Sequence, residues 1–228
     1  MQPKAYYPLF ADLNGRKCVV VGGGPIAQRK VATLLRYGAR ITLISPTLTT
    51  RLRQYARAGT IRYIARRFRP SDITAAWLVY ACTDDQAINE LVYRSATRRR
   101  VFINVVDQKP LCSFIAPSLF TRGDLTVAVS TGGASPTIAK RLRRQLQQVV
   151  GTEYIPMLKL LANLRTVAKR SLPSYQDRKR YFDQLVRGRV FALVRTGHLQ
   201  QAKREALAEL GRETALRNGA SRDIQRVT

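Results

Sequence analysis

Short apolar runs alternate with amphipathic stretches through the first half of the chain. The runs are rich in β-branched residues and have the length expected of buried parallel strands. We predict five strands: Cys18–Val21, Arg40–Ile44, Ile61–Ala65, Trp77–Ala81 and Val101–Val106. Helical spacing occupies the segments between them: from Pro25 to a stop at Gly38, Thr47–Ala58 and Gln86–Thr97. This alternation with short connections predicts an α/β fold with a parallel sheet covered by helices on both faces.

The pattern changes after residue 112. Two β-prone runs, Ser113–Phe120 and Leu125–Ser130, are joined by Thr121–Asp124, which predicts a hairpin-type connection. A helix follows from Pro136, with Ser135 as candidate N-cap. Three further helical patterns complete the chain: Tyr154–Lys169, Ser174–Leu185 and Leu199–Arg217. We therefore expect a sheet domain over residues 1–112, a small β/α segment over 113–150 and a helical domain over 151–228.

The turn after the first strand has the form Gly22-x-Gly24-x-x-Ala27 and leads directly into a helix. In this context Gly22 allows the tight turn, Gly24 lets the backbone approach a pyrophosphate, and Ala27 lets the helix lie close to the strand. The helix N-terminus offers N–H donors and a partial positive charge to phosphates. The pattern predicts a dinucleotide site in a Rossmann-type sheet. The alternative is a tight turn without a ligand.

Ligands of open α/β sheets bind at the carboxyl ends of the strands. A nicotinamide site usually has Asp or Glu about 20 residues past the glycines, but this chain has Ser45 there. The choice between NAD and NADP therefore stays open, with Arg51 or Arg53 as candidates to accept a 2′-phosphate. Asp107 follows the fifth strand and is either a general base beside a hydride acceptor or a turn aspartate.

The charge of the chain is unusual. Forty Lys and Arg against 14 Asp and Glu give a net charge of +26, which attracts nucleic acid, anionic membrane or a substrate bearing many carboxylates. The chain has no run of eighteen apolar residues and no apolar leader, so we expect no membrane partner and a cytoplasmic location. Three distant cysteines without C-x-x-C predict buried thiols rather than a metal site, and the single histidine, His198, predicts a surface residue.

Five stretches, taken in order, resemble one known family. They are Gly22-Gly23-Gly24-x-x-Ala27-x-Arg29-Lys30, Ala81-x-Thr83-Asp84-Asp85, Asn104-Val105-Val106-Asp107, Ser113-Phe114-Ile115-x-Pro117 and Val127-Ala128-Val129-Ser130-Thr131-Gly132-Gly133-x-Ser135-Pro136. Together they look like the precorrin-2 dehydrogenase/sirohydrochlorin ferrochelatase family, which also forms the N-terminal module of siroheme synthase. The resemblance covers residues 5–150 with these motifs and the remainder by length and pattern.

The resemblance implies NAD-dependent oxidation of precorrin-2 to sirohydrochlorin, and many members also insert ferrous iron to give siroheme. It assigns the general base to Asp107 and no resident metal. The implied dinucleotide contacts are Gly22, Gly24, Pro25, Ile26, Ser45 and Thr83. The implied tetrapyrrole contacts are Asn104, Ser130, Gly132 and Gly133. Members are homodimers, so the segment 113–150 is expected to serve dimerisation.

A second hypothesis is a nicotinamide-sensing regulator that binds nucleic acid through its basic helices. The net charge favours it. Against it, no helix-turn-helix sequence with a clear recognition helix is present, and basic residues are spread from Arg51 to Arg226 rather than gathered in one element. We therefore expect an acidic tetrapyrrole, rather than a specific nucleic-acid sequence, as the partner.

Overall fold

The chain folds into two compact units. In the computed structural model, the backbone of residues 5–224 and the side chains of residues 5–215 are described. One unit contains the residues up to Ala116 together with Gly132–Ser135, and the other contains Pro117–Thr131 and the residues from Pro136 onward. Each unit has its own buried apolar core. None of the described helices is both long and apolar enough to cross a membrane.

The first unit is built on a five-stranded parallel sheet. Its strands are β1 (Lys17–Val21), β2 (Arg40–Ile44), β3 (Arg62–Ile64), β4 (Leu78–Ala81) and β5 (Phe102–Val105), in the order β3-β2-β1-β4-β5. The connecting helices are α1 (Pro25–Arg36), α2 (Thr50–Arg57) and α3 (Gln86–Arg98), with short 3₁₀ turns at Pro70–Ile73 and Lys109–Leu111. The strand order reverses next to β1, which places the glycine turn at the switch point where such sheets bind ligands.

Alternate residues of β1 enter two different apolar clusters. Cys18 and Val20 face one cluster together with Val31 of α1, whereas Val19 and Val21 face the other together with Val92 of α3. Because successive side chains of a strand point to opposite faces, this division places α1 and α3 on opposite sides of the sheet. The predicted α/β fold with a Rossmann-type parallel sheet is confirmed.

The amino-terminal edge of this sheet is held by side chains rather than by loops alone. The ammonium of Lys17, at the start of β1, donates to the carbonyls of Asp72 and Thr74. The guanidinium of Arg16 stacks 4.0 Å from the ring centroid of Trp77, the residue before β4. These contacts connect the beginnings of β1 and β4, which are neighbours in the sheet.

The second unit begins with an antiparallel hairpin and continues as helices. The hairpin pairs β6 (Ser118–Arg122) with β7 (Leu125–Val129). The helices are α4 (Pro136–Val149), α5 (Tyr154–Ser171), α6 (Tyr175–Arg187), α7 (Arg189–Arg195) and α8 (Leu199–Ile224). The core of this unit is formed by α5 to α8 around the fully buried Tyr181, whose hydroxyl donates to the carbonyl of Ala206.

Helix α4 keeps an apolar face in contact with solvent. Leu142, Leu146 and Val149 are 43%, 40% and 79% exposed and recur at helical spacing. Only Ala139 of this helix is buried among the described residues. A face of this kind marks an interaction surface more often than a monomer surface.

Several predicted boundaries differ from the structure, among them the end of the last helix, which reaches Ile224 rather than Arg217. Hydrogen bonds explain three of the differences. The first β-prone run starts at Ser118 rather than Ser113, because the backbone and hydroxyl of Ser113 bind Ile103 of β5 instead. The hairpin connection shortens to Gly123-Asp124, since Thr121 and Arg122 pair with β7. Helix α2 starts at Thr50 rather than Thr47, because the Thr49 hydroxyl accepts the N–H of Leu52 and caps the helix. The sequence patterns also missed the short helix α7.

Candidate active site

The three glycines at the end of β1 differ in what surrounds them. Gly22 has a φ of +117°, and a Cβ there would lie 2.4 Å from the carbonyl oxygen of Cys82. A Cβ on Gly23 would lie 1.8 Å from the carbonyl oxygen of Thr47. A Cβ on Gly24 would meet no described atom within 4 Å. The fold itself therefore requires Gly22 and Gly23, whereas Gly24 borders open space in front of α1.

Gly24 is also the N-cap residue of α1. Among the described side chains none accepts a hydrogen bond at this cap, and the first turn contains no acidic residue. The backbone N–H groups of this turn and the positive end of the helix dipole are therefore available to an anion. A phosphate group in front of Gly24 satisfies both requirements.

One cavity of about 520 Å³ opens at this point. Its lining includes all six residues expected to contact a dinucleotide: Gly22, Gly24, Pro25, Ile26, Ser45 and Thr83. Its size lies within the range of about 300–1,000 Å³ typical of ligand pockets. The open space at Gly24, the uncapped helix and the size of the cavity together fit a dinucleotide.

The β2 side of the cavity carries a serine where many nicotinamide sites carry a carboxylate. Ser45 is buried, its backbone N–H donates to the Ile64 carbonyl, and its own carbonyl accepts from the Tyr63 hydroxyl. The sequence patterns singled out Arg51 and Arg53, but neither lines this cavity; their guanidinium groups donate to Gln54 and Thr50 of the same helix.

Arg66 and Arg67 are the cations that line the cavity. The two terminal guanidinium nitrogens of Arg66, Nη1 and Nη2, donate to the Asp72 carboxylate at 2.8 and 2.7 Å. Arg67 is mostly exposed and lies 3.8 Å from Asp85. Sequence reasoning missed both residues, although their place directly after β3 was a usable signal, because strand ends border the ligand site in this fold.

The turn after β4 is held by a closed set of hydrogen bonds. The Thr83 hydroxyl donates to the Asn89 side-chain oxygen at 2.9 Å, and the Asn89 amide donates back to the Thr83 carbonyl at 2.8 Å. Asp85 accepts the N–H of Ile88 and caps α3. This network fixes Thr83 at the cavity wall.

The turn after β5 presents Asp107 to solvent. Asp107 lies two residues beyond the strand and has a φ of +57°, a left-handed conformation that Asp and Asn tolerate better than most residues. The neighbouring Val106 N–H donates to the Ala81 carbonyl at the end of β4, which connects this turn to the strand that Thr83 follows. The carboxylate is thus exposed on a backbone that is held in place.

The residues expected to contact a tetrapyrrole are spread over both units. The Asn104 amide donates to the Phe114 carbonyl at 3.0 Å and so fastens the segment after β5. Gly132 and Gly133 have φ values of +61° and +82°, and the Lys109 side chain lies against Gly133 in the first unit. Ser130 belongs to the second unit and directly follows β7.

Within the described part of the chain, no three His, Cys, Asp or Glu side chains cluster as a metal site.

Three family models match consecutive parts of the chain. An NAD(P)-binding model matches residues 9–118, a sirohaem biosynthesis protein central model matches residues 122–148, and a sirohaem synthase dimerisation model matches residues 153–210. The chain belongs to the siroheme synthase family. This result confirms the family resemblance carried by the sequence motifs.

Curated siroheme synthases match over most of this chain. The chain is 37% identical to siroheme synthase 1 of Pectobacterium atrosepticum over 205 residues, which is 90% of this chain and 43% of that protein. It is 39% identical to the siroheme synthase of Thioalkalivibrio sulfidiphilus over 211 residues, which is 92% of this chain and 43% of that protein. The chain thus spans less than half the length of these members of the siroheme synthase family.

A solved structure matches most of the chain. The chain superposes on SirC, a precorrin-2 dehydrogenase, with a TM-score of 0.71 and 26% sequence identity. The match covers 91% of this chain and 100% of the SirC chain. The fold of this chain is therefore similar to that of SirC over the full length of the SirC chain.

Proposed function

We propose that this protein oxidises precorrin-2 to sirohydrochlorin with NAD as the hydride acceptor. The observation that carries the proposal is the cavity at the end of β1, lined by all six expected dinucleotide contacts and open at Gly24. Two comparisons support it: the match to SirC over its full length and the NAD(P)-binding model over residues 9–118.

The reaction removes two electrons and two hydrogens from the tetrapyrrole, one hydrogen as a hydride and one as a proton. NAD, when bound, supplies the acceptor for the hydride. The glycine turn and the N-terminus of α1 hold the pyrophosphate and so fix the position of the nicotinamide. Asp107 accepts the proton, because its side-chain oxygens are exposed to solvent on a turn whose backbone is hydrogen-bonded to β4.

The substrate site is proposed to include Asn104, Ser130, Gly132 and Gly133. Precorrin-2 and sirohydrochlorin bear many carboxylates around the macrocycle, so the net charge of +26 favours their approach. The left-handed φ values of Gly132 and Gly133 support this assignment, since they let the chain turn tightly at this point.

We also propose a homodimer, with domains at residues 1–112, 113–150 and 151–228. The dimerisation model over residues 153–210 supports the association, and the exposed apolar face of α4 offers a surface for it. We propose the cytoplasm as the compartment. The three cysteines, all free thiols, support this proposal because thiols persist where the environment is reducing.

The test is an absorbance assay of the purified protein with precorrin-2 and NAD. We expect NADH to appear together with the sirohydrochlorin spectrum, and neither to appear at that rate without enzyme. The assay is repeated with NADP, because Ser45 replaces the usual carboxylate. No oxidation with either nucleotide contradicts the proposal and favours the nucleic-acid-binding regulator.

Ferrous iron is then added to the same reaction as a substrate. A further spectral change, faster than in the control without enzyme, extends the proposal to siroheme formation. If the spectral change with iron is no faster than in the control without enzyme, the proposal is limited to the dehydrogenase activity.

A further inference from the structure

We propose that Lys30 anchors a carboxylate of the tetrapyrrole and thereby places the macrocycle beside Asp107. The inference rests on the proposed function and adds a substrate contact to it. Lys30 lies on α1, directly after the glycine turn, on the side of the helix that faces the sheet over β4.

The position of the Lys30 ammonium is defined by packing. Its Nζ lies 4.7 Å from the ring centroid of Tyr80, a buried residue of β4. The Phe114 ring meets Tyr80 edge-on at 5.4 Å, so the aromatic surface beneath the ammonium is itself held in place. A cation over an aromatic face is attracted to it but keeps its N–H donors available.

The Lys30 ammonium has no hydrogen bond or ion pair to any residue whose placement the structure describes. Burial lowers the pKa of Lys30, and among the groups that oppose this shift the Cys82 thiol contributes most and the Asp107 carboxylate less. Cys82 is close as well, but burial raises the pKa of its thiol to about 12, so it stays neutral near pH 7. This half-buried cation therefore has donors that an incoming anion can use.

The position of Lys30 favours a carboxylate of the tetrapyrrole, rather than a phosphate of the dinucleotide, as the anion that it binds. Lys30 is absent from the lining of the glycine-turn cavity, whereas Pro25 and Ile26 of the same helix belong to it. Lys30 lies instead over Tyr80, which pairs with Asn104 of β5, the strand that ends two residues before Asp107. A carboxylate bound there holds the edge of the macrocycle against the base.

The experiment compares Lys30→Met with the wild type and with Lys30→Arg. Methionine keeps an unbranched apolar stem over Tyr80 and removes the charge, whereas arginine keeps the charge. The matched control is Arg36→Met, which removes one positive charge from the exposed last turn of the same helix. The readouts are KM for precorrin-2, KM for NAD, kcat, and sirohydrochlorin affinity measured by its own absorption without NAD.

For Lys30→Met we expect the KM for precorrin-2 and the Kd for sirohydrochlorin to rise about 10-fold to 100-fold, the range for one charge-assisted hydrogen bond. We expect the KM for NAD to stay within about 2-fold of the wild-type value, Lys30→Arg to recover most of the affinity, and Arg36→Met to behave as wild type.

Two results overturn the proposal. One is a wild-type Kd for sirohydrochlorin in Lys30→Met, or in Lys30→Gln if the methionine variant does not fold. The other is a fall in kcat with unchanged affinity, which makes Lys30 a partner of Asp107 instead of the substrate. A wild-type protein that neither binds sirohydrochlorin nor oxidises precorrin-2 refutes the proposed function itself, so the two failures are distinguishable.

Discussion

The two units of this chain differ in how they use their surfaces. In the first unit the apolar faces of the sheet are covered by α1 and α3, and the groups that reach solvent at the strand ends are backbone N–H groups and charged side chains. In the second unit α5 to α8 enclose a core, but α4 exposes leucine and valine side chains. The difference supports the proposals that the first unit binds the dinucleotide and that α4 of the second unit takes part in association.

The largest effect that tests this comparison is expected at Asp107. Asp107→Asn lowers kcat for precorrin-2 oxidation by about 1,000-fold, within the range for loss of a general base, while NAD affinity and thermal stability stay unchanged. Asparagine tolerates the left-handed φ of +57°, so the turn keeps its backbone. The measurement is steady-state turnover together with a melting curve.

The matched control for that variant is Asp124→Asn, which removes another exposed turn carboxylate, located in the hairpin of the second unit. We expect it to keep wild-type kcat. An equal fall in kcat in Asp107→Asn and Asp124→Asn contradicts the proposed difference between the two units. It shows that the effect depends on the net charge of the protein rather than on the position of Asp107.

The next effect concerns α4. We expect Leu142→Asp combined with Leu146→Asp to raise the dissociation constant of the proposed dimer about 100-fold, since two exposed apolar side chains of the proposed interface become charged. Sedimentation velocity across a concentration series measures it. Lys140→Asp makes the same change in net charge on the opposite side of the helix and is expected to leave the dimer intact. The proposal that α4 forms the dimer interface is refuted if only Lys140→Asp dissociates the dimer, or if neither variant does.

A smaller effect is expected at Asp72, a carboxylate of the first unit that contributes to stability rather than to turnover. Asp72 is buried and accepts two hydrogen bonds from Arg66 and one from the Arg69 N–H. Asp72→Asn lowers the free energy of unfolding by about 2 kcal/mol at pH 7, because it leaves the Arg66 guanidinium without its ion pair. Urea denaturation measures it, and turnover per folded molecule stays at the wild-type level.

The pH dependence of that loss follows from the direction of the Asp72 shift. Hydrogen bonds from Arg66 hold the pKa of Asp72 below its usual range. The stabilisation is therefore present in full above about pH 4 and is lost as the pH falls through the lowered pKa. The difference between wild type and Asp72→Asn shrinks on acidification. A difference that grows instead contradicts the assignment.

The smallest effect distinguishes two adjacent glycines. Gly24→Ala weakens NAD binding about 10-fold and costs less than about 1 kcal/mol of stability, because its Cβ enters only the open space in front of α1. Gly23→Ala lowers the melting temperature, because its Cβ would collide with the Thr47 carbonyl. Calorimetric titration with NAD and thermal melting measure the two variants. Normal NAD affinity in Gly24→Ala contradicts the dinucleotide site.

The sheet was predictable because its strands are short, β-branched and bounded by turn residues. The glycine turn was predictable for a related reason: strand, glycines and helix follow one another within the sequence. The roles of Arg66 and Asn104 were not predictable, since they depend on partners that only the fold brings close. The Asn104 amide donates a hydrogen bond to the Phe114 carbonyl, and the Arg66 guanidinium donates to the Asp72 carboxylate. The place of Lys30 over Tyr80 likewise requires the packing of α1 on β4.

Trp77 gives the protein an intrinsic optical probe of one unit. It is the single tryptophan of the chain, and it precedes β4 with Arg16 stacked on its ring. Its emission therefore reports the sheet of the first unit, whereas circular dichroism is dominated by the helices, most of which lie in the second. Recording both signals during a single denaturation shows, without any label, whether the two units lose their structure together or in succession.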